Sequence, residues 1–117
     1  MKLSYITIMV RNIENSVKFY EELVGLMVAR RLNVGAGEII FLSNGDGETM
    51  IELIQFENVP KVETKGMTLS FKTENITDIR NKAIQMGFNP SDIISEAPKP
   101  AHFKVKDPDG IDIEFSE

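Results

Sequence analysis

The sequence contains no cysteine and a single histidine, His102, and both facts narrow its chemistry. Without cysteine, the chain cannot form a disulfide framework, a thiolate zinc site or a cysteine nucleophile. One histidine also excludes a two-histidine metal site within one chain. The glycine-rich phosphate loops and the motifs of serine hydrolases and zinc proteases are absent as well. Neither nucleotide binding nor hydrolysis is therefore indicated.

Positive charge is also scarce, since 13 basic residues stand against 18 acidic ones in 117 residues, for a net charge of −5. The basic residues are scattered along the chain, so we expect no nucleic-acid partner. No apolar run approaches the ~20 residues that span a bilayer, and the N-terminus lacks a signal-peptide pattern. We therefore expect no membrane partner and a cytoplasmic location.

What the sequence does contain is an internal repeat. Each half reads as a strand, a helix and three further strands, with the helices predicted at 13–24 and 75–86. An asparagine able to cap precedes each helix, and a glycine follows it. Four matching segments recur in the same order at an offset of 62 or 63 positions, which favours duplication. The predicted strands are 3–10, 27–32, 38–43 and 49–56, then 67–72, 92–95, 101–106 and 111–116.

This repeat predicts an α+β fold built from two βαβββ modules. The length suits one domain of roughly 100–150 residues. We therefore predict a single domain over 1–117, made of module 1 (1–56), a polar, proline-bearing link (57–66) and module 2 (67–117).

Two segments carry a family resemblance: VRNIENSVKFYEELVGL at 10–26 and VKDPDGIDIEF at 105–115. The first holds a Ser-x-x-Phe-Tyr pattern, and the second places an Asp-Pro-Asp-Gly turn before the last strand. At this spacing they resemble the vicinal-oxygen-chelate superfamily, which includes glyoxalase I, bleomycin-resistance proteins and extradiol dioxygenases. The resemblance implies that helices cover the convex face of each curved mixed sheet. It also implies that two concave faces enclose a cavity.

Alternation along the predicted strands assigns side chains to these two faces. The apolar set facing the helices is Ile6, Ile8, Ile51, Leu53, Leu69, Phe71, Ile113 and Phe115. The set facing the cavity is Tyr5, Thr7, Met9, Met50, Glu52, Thr68, Ser70, Lys72, Asp112 and Glu114. The turn at 107–110 predicts a hairpin that puts Lys104 opposite Glu114 and His102 opposite Ser116, also on the cavity side.

In metal-dependent members, the resemblance implies one ligand from the first strand and one from the last strand of each module. The last-strand positions here hold Glu52 and Glu114, but the first-strand positions hold Tyr5 and Thr68. A phenol and a hydroxyl are poor ligands for divalent ions at neutral pH, and Lys104 competes with a cation for Glu114. We therefore expect no cofactor, or at most a weakly bound divalent ion (Ni, Zn, Mn or Fe) held by Glu52 and Glu114.

The predicted function is metal-independent binding of a small organic ligand in the cavity between modules, as in the bleomycin-resistance branch. The expected ligand-binding residues are Tyr5, Thr7, Met9, Met50, Thr68, Ser70 and Lys104, and the candidate catalytic residues, which also serve as polar anchors, are Glu52, Glu114 and His102. As a lone imidazole, His102 suits a general base or a ligand-binding donor, or is simply a polar residue of the ladder.

Two other functions stay open. One is a metal-dependent glyoxalase I-like lyase or isomerase, in which the metal polarises adjacent oxygens and a glutamate moves the proton. The other is a divergent member that binds no ligand and acts through dimerisation. The resemblance also implies a homodimer, in which modules pair either within one chain or between chains.

Overall fold

The computed structural model describes residues 1–117, which form seven strands and two α-helices. The chain divides into two compact units, Met1–Val62 (unit 1) and Glu63–Glu117 (unit 2). Unit 1 contains β1 (Tyr5–Met9), α1 (Ile13–Lys18), β2 (Met27–Val34), β3 (Gly37–Ser43) and β4 (Met50–Phe56). Unit 2 contains β5 (Thr68–Lys72), α2 (Ile76–Gln85), β6 (His102–Lys106) and β7 (Asp112–Ser116). This mixed α+β architecture confirms the predicted fold class.

Unit 1 has a four-stranded sheet in the order β1-β4-β3-β2. β1 runs parallel to β4, whereas β3 pairs antiparallel with both β4 and β2. The sheet register shifts between Val28 and Arg30 on β2, so Ala29 forms a bulge there. The predicted helix-facing residues Ile8, Ile51 and Leu53 are buried, as the alternation predicts.

The helix of unit 1 begins at the predicted residue, because the Asn12 side chain accepts a hydrogen bond from the Asn15 N–H at 3.0 Å. Its second half, Phe19–Leu23, is a π-helix, which the periodicity alone does not predict. The consecutive rings of Phe19 and Tyr20 are both fully buried there. The helix ends before Gly25, whose φ of +85° is the left-handed conformation expected at this position.

Unit 2 has a three-stranded sheet in the order β5-β7-β6, with β5 parallel and β6 antiparallel to β7. The strand predicted at 92–95 is wrong, since that segment makes only one isolated bridge, from Ile94 to His102. Pro98 and Pro100 follow it closely, and proline has no N–H to donate to a ladder. The helix-facing residues Ile113 and Phe115 are buried as predicted.

The helix of unit 2 follows Asn75, but this side chain does not cap it as predicted. The Asn75 Nδ2 donates instead to the Asp78 carboxylate at 2.7 Å, so the side chain forms no hydrogen bond to the helix backbone. No helix of the structure combines the length and the apolar character needed to cross a membrane.

Candidate functional site

The side of each sheet that faces away from its helix, called the open face below, carries the predicted site residues. Residues directly opposite each other in a ladder point to the same side of the sheet. In unit 1 the parallel register therefore places all five predicted residues on one face. It pairs Tyr5 with Met50, Thr7 with Glu52, and Met9 with Ile54.

The open face of unit 1 extends across β3 and β2. Both were predicted as strands, but none of their residues was assigned to this face. Phe41 lies opposite both Glu52 and Arg30, and Ile39 lies opposite both Ile54 and Leu32. The neighbouring helix-facing residues of β3 are apolar too. Alternation therefore offered no contrast between polar and apolar positions from which these side chains could be assigned.

Two aromatic rings meet on this face. Tyr5 on β1 and Phe41 on β3 lie on either side of β4, and their ring centroids are 5.7 Å apart at an interplanar angle of 84°. Such an edge-to-face contact is a favourable aromatic geometry. Tyr5 remains 48% exposed, so the aromatic pair presents apolar surface rather than forming part of the core.

Each unit also holds one glutamate whose carboxylate accepts a hydrogen bond from a hydroxyl on the first strand. Thr7 Oγ1 donates to Glu52 Oε1, and Ser70 Oγ donates to Glu114 Oε1 at 2.8 Å. The duplication therefore reproduces a side-chain contact and not only the backbone. Tyr5 and Thr68, which the resemblance placed at the ligand positions, lie opposite Met50 and Asp112 instead.

The open face of unit 2 is polar throughout. Its register confirms the predicted pairing of Lys104 with Glu114 and of His102 with Ser116. Three rows of residues cross its strands: Thr68, Asp112 and Lys106; Ser70, Glu114 and Lys104; and Lys72, Ser116 and His102. The predicted residues of module 2 thus lie on one face.

The lysine that reaches Glu114 is Lys99 and not Lys104, which corrects the sequence prediction. Lys99 Nζ lies 2.8 Å from Glu114 Oε2, and the Glu114 side chain is buried. This hydrogen bond is the main reason that the pKa of Glu114 is lowered from its ordinary value of 4.5, with burial opposing it and Ser70 and His102 assisting. Lys99 lies in an irregular loop, where no periodicity indicated its position.

Two other contacts order the polar face. Lys106 Nζ lies 2.8 Å from Asp112 Oδ1, and this hydrogen bond chiefly lowers the pKa of Asp112. The buried His102 ring has Nδ1 2.9 Å from the Pro100 carbonyl oxygen. Because a carbonyl oxygen can only accept, Nδ1 must carry a proton. Nε2 is then the acceptor of the neutral ring and a second donor of the charged ring.

Each unit also contains a cleft. The cleft of unit 1 has a volume of about 720 Å³ and lies at the end of β4, lined by residues that include Arg11, Gln55, Phe56 and Lys61. The cleft of unit 2 has a volume of about 540 Å³ and lies between the 87–91 loop and β6. Neither cleft is lined by Glu52 or Glu114, whereas the second reaches Lys104 on the open face.

The donors present do not fit the metal site that the resemblance implies. No three histidine, aspartate or glutamate side chains come together in a way that could hold a metal ion. Both oxygens of Glu114 already accept hydrogen bonds, Oε1 from Ser70 and Oε2 from Lys99. An ammonium group in hydrogen-bond contact with a carboxylate opposes the approach of a cation to the same oxygens.

Comparison with known proteins identifies the family. The sequence profile of the Glyoxalase/Bleomycin resistance protein/Dioxygenase superfamily matches residues 2–115. The chain is 34% identical over 120 residues to the uncharacterized protein YwbC of Bacillus subtilis (strain 168). That match covers 97% of this chain and 95% of YwbC.

Two solved structures share the fold. One is the trypanothione-dependent glyoxalase I of Leishmania major, with a TM-score of 0.81, 24% identity, and coverage of 100% of this chain and 86% of that chain. The other is TnmS3, an antibiotic-binding protein from Streptomyces sp. CB03234, with a TM-score of 0.78, 18% identity, and coverage of 99% and 94%. The chain therefore belongs to the Glyoxalase/Bleomycin resistance protein/Dioxygenase superfamily.

Proposed function

We propose that the protein binds a small organic ligand against its open sheet faces, and that it does so without a catalytic metal. The observation that carries this proposal is the open face of unit 1. Its exposed Tyr5 meets Phe41 beside a single hydroxyl-bonded carboxylate, Glu52. Small-ligand sites commonly combine apolar walls with a few placed polar groups.

The predicted residues then divide into two roles. Tyr5, Met9 and Met50 supply apolar contact, and the flexible methionine side chains can adapt to ligands of different shape. Glu52 and Thr7 supply polar contacts on unit 1. On unit 2, the proposed polar contacts to a ligand are Thr68, Ser70, His102, Lys104 and Glu114. The antibiotic-binding role of TnmS3, a protein of the same fold, agrees with a binding function.

The metal-free part of the proposal depends on the surroundings of the two glutamates. Glu114 accepts hydrogen bonds from Lys99 and Ser70, and Glu52 accepts one from Thr7. No nitrogen donor stands beside either carboxylate on the first strands, where Thr7 and Ser70 are the neighbours. The resemblance assigns the ligand positions of these strands to Tyr5 and Thr68, which supply no nitrogen either. Oxygen donors of this kind leave a transition metal without the imidazoles that it prefers.

Binding is tested with N-phenyl-1-naphthylamine, an uncharged dye whose fluorescence rises in apolar sites. We expect saturable binding by the wild-type protein and about tenfold weaker binding by Tyr5→Ser, because an aromatic contact is lost. The matched control is Ile84→Ser, which removes an exposed apolar side chain from α2 and leaves the open face intact. Equal affinities of the wild type and Tyr5→Ser would contradict the assigned face.

The metal state is tested by elemental analysis after dialysis and by calorimetric titration with Ni²⁺, Zn²⁺ and Mn²⁺. We expect less than one tightly held ion per chain, and no difference in metal content between the wild type and Glu52→Gln. If the wild type instead retains about one ion and Glu52→Gln loses it, the metal-dependent lyase is the better assignment.

We further propose that the protein acts in the cytoplasm as a homodimer. The family resemblance supports the dimer, and β1 and β5 each lie at an edge of their sheets, where a strand can pair with another chain. Light scattering at micromolar concentration is expected to give twice the chain mass. The monomer mass would contradict the dimer.

A further inference from the structure

The open face of unit 2 carries more positive than negative charge, although the whole chain has a net charge of −5. Lys72, Lys104 and Lys106 are strand residues of this face, and Lys99 reaches it from the preceding loop. Among the strand residues of this face, two are carboxylates, Asp112 and Glu114. A local excess of positive charge attracts anions even when the net charge of the protein is negative.

The two carboxylates neutralise only two of the four lysines. Lys106 pairs with Asp112 and Lys99 with Glu114, each at 2.8 Å. Lys72 and Lys104 are exposed and form no ion pair. These two ammonium groups are therefore the ones available to a ligand.

The sheet geometry brings these groups around one point. Lys72 on β5 lies opposite Ser116 on β7, which lies opposite His102 on β6, and Lys104 is two residues further along β6. Neighbouring strands are about 4.8 Å apart, so long side chains from β5 and β6 can reach toward a group seated above β7. Ser116 lies beneath that position.

A buried histidine adjoins this point, and a cleft begins one row away, at Lys104. His102 is held by the hydrogen bond from Nδ1 to the Pro100 carbonyl oxygen, which leaves Nε2 as the nitrogen without a protein partner. The cleft of about 540 Å³ reaches Lys104 and continues along the 87–91 loop. Its volume falls within the range of small-ligand sites, roughly 300–1,000 Å³.

We propose that the open face of unit 2 binds the anionic group of a small organic acid, a carboxylate, sulfonate or phosphate, anchored by Lys72 and Lys104 beside His102. This names the ligand class for the function proposed above and rests on that proposal. Glu114 then holds Lys99 in place and does not itself contact the charged group of the ligand.

The test uses two probes with the same aromatic body, naphthalene-1-acetate and the uncharged naphthalene-1-acetamide, titrated calorimetrically into the full chain at low salt. We expect the wild type to bind the acid about tenfold more tightly than the amide, and this preference to weaken with added salt. The double variant Lys72→Met/Lys104→Met should bind the acid no more tightly than the amide.

Two control variants separate this site from net charge and from misfolding. Lys65→Met/Lys82→Met removes the same two charges from the link and from α2, and it should keep the preference. Lys72→Arg/Lys104→Arg keeps both charges on the face and should keep most of the preference for the acid over the amide. Circular dichroism checks that each variant is folded.

Failure takes two distinguishable forms. If the wild type binds acid and amide equally, or if Lys72→Met/Lys104→Met keeps the preference, the anion site is wrong while small-ligand binding stands. If the wild type binds neither probe at millimolar concentration, the proposed ligand-binding function fails together with the anion site.

Discussion

The open faces of the two units differ in chemistry, although the sides that pack on the helices are alike. Unit 1 presents Tyr5, Phe41 and apolar neighbours around one glutamate, whereas unit 2 presents lysines, carboxylates and a histidine. Both helix-facing sides are apolar, with Ile8, Ile51, Leu53, Ile113 and Phe115 buried and the first-strand residues Ile6, Leu69 and Phe71 half-buried. Close packing restricts what a buried position can accept, and an open face is free of that restriction. The two modules therefore share the apolar pattern of their cores but differ in the chemistry of their open faces.

Matched substitutions at equivalent positions test whether the two cores are alike. Ile51 and Ile113 occupy the same place in their modules and are both buried, with 6% and 0% of their surface exposed. Replacing either by alanine should lower the free energy of unfolding by about 2–4 kcal/mol, because each leaves a cavity. Urea denaturation measures both. A loss below about 1 kcal/mol in only one variant would show that the packing differs.

A smaller effect sharpens the contrast within unit 2. Lys99→Met leaves the buried Glu114 carboxylate without its cation and should lower the free energy of unfolding by about 1–2 kcal/mol. Lys104→Met removes an exposed lysine that forms no ion pair, and should change stability by less than about 0.5 kcal/mol. Urea denaturation of both variants decides between the two lysines. Equal losses of stability would mean that Lys104, the cross-strand neighbour of Glu114, stabilises the fold as much as Lys99 does.

The same carboxylate predicts a pH dependence. The pKa of Glu114 is below its ordinary value of 4.5 in the folded protein, so its ionised form stabilises the fold above pH 4.5. This stabilisation is lost as the pH falls through the lowered pKa. The stability difference between the wild type and Glu114→Gln should therefore be constant from pH 7 to about pH 5.5 and shrink in acid. Urea denaturation of both proteins from pH 7 to about pH 3 measures this difference. A difference that grows in acid would contradict a lowered pKa of Glu114.

The smallest expected difference concerns the helix starts. Asn12→Ala removes a side-chain cap and should lower the free energy of unfolding by about 1 kcal/mol. Asn75→Ala removes only an exposed contact with Asp78 and should cost less than about 0.5 kcal/mol. Thermal or urea denaturation of the two variants checks the order. A larger loss of stability in Asn75→Ala than in Asn12→Ala would contradict the assignment of Asn12 as the side-chain cap.

Much of the fold could be predicted from the sequence because its signals are local. Alternation identified the strands and their buried faces. An asparagine before each helix and a glycine after it placed both helices, although only Asn12 caps its helix with its side chain. The Asp107–Gly110 turn even fixed the register of β6 on β7, since a hairpin turn sets which residues face each other. The prediction of a strand at 92–95 was wrong. Its apolar residues resemble a strand, but the nearby prolines have no N–H to donate, and the segment forms only one isolated bridge.

The candidate site was predictable only where residues lie on alternating strands with a polar contrast, or where a turn sets the register. Glu52 and Glu114 were placed on the open faces in the first way, whereas His102 was placed by the hairpin register that the 107–110 turn sets. Phe41 and Lys99 were missed for two reasons: residues 39–42 of β3 are apolar on both sides, and the Lys99 loop has no periodicity.

By itself, the sequence determined the duplication, the two βαβββ-like modules and the division of each sheet into a buried and an open side. These features follow from spacing along the chain, which local backbone geometry converts into faces. Only the tertiary structure decided that Lys99 neutralises Glu114, that Tyr5 meets Phe41 across β4, and that Thr7 and Ser70 reach the glutamates. Each of these contacts joins residues far apart in sequence or brought together by a loop, and so depends on how the chain returns on itself.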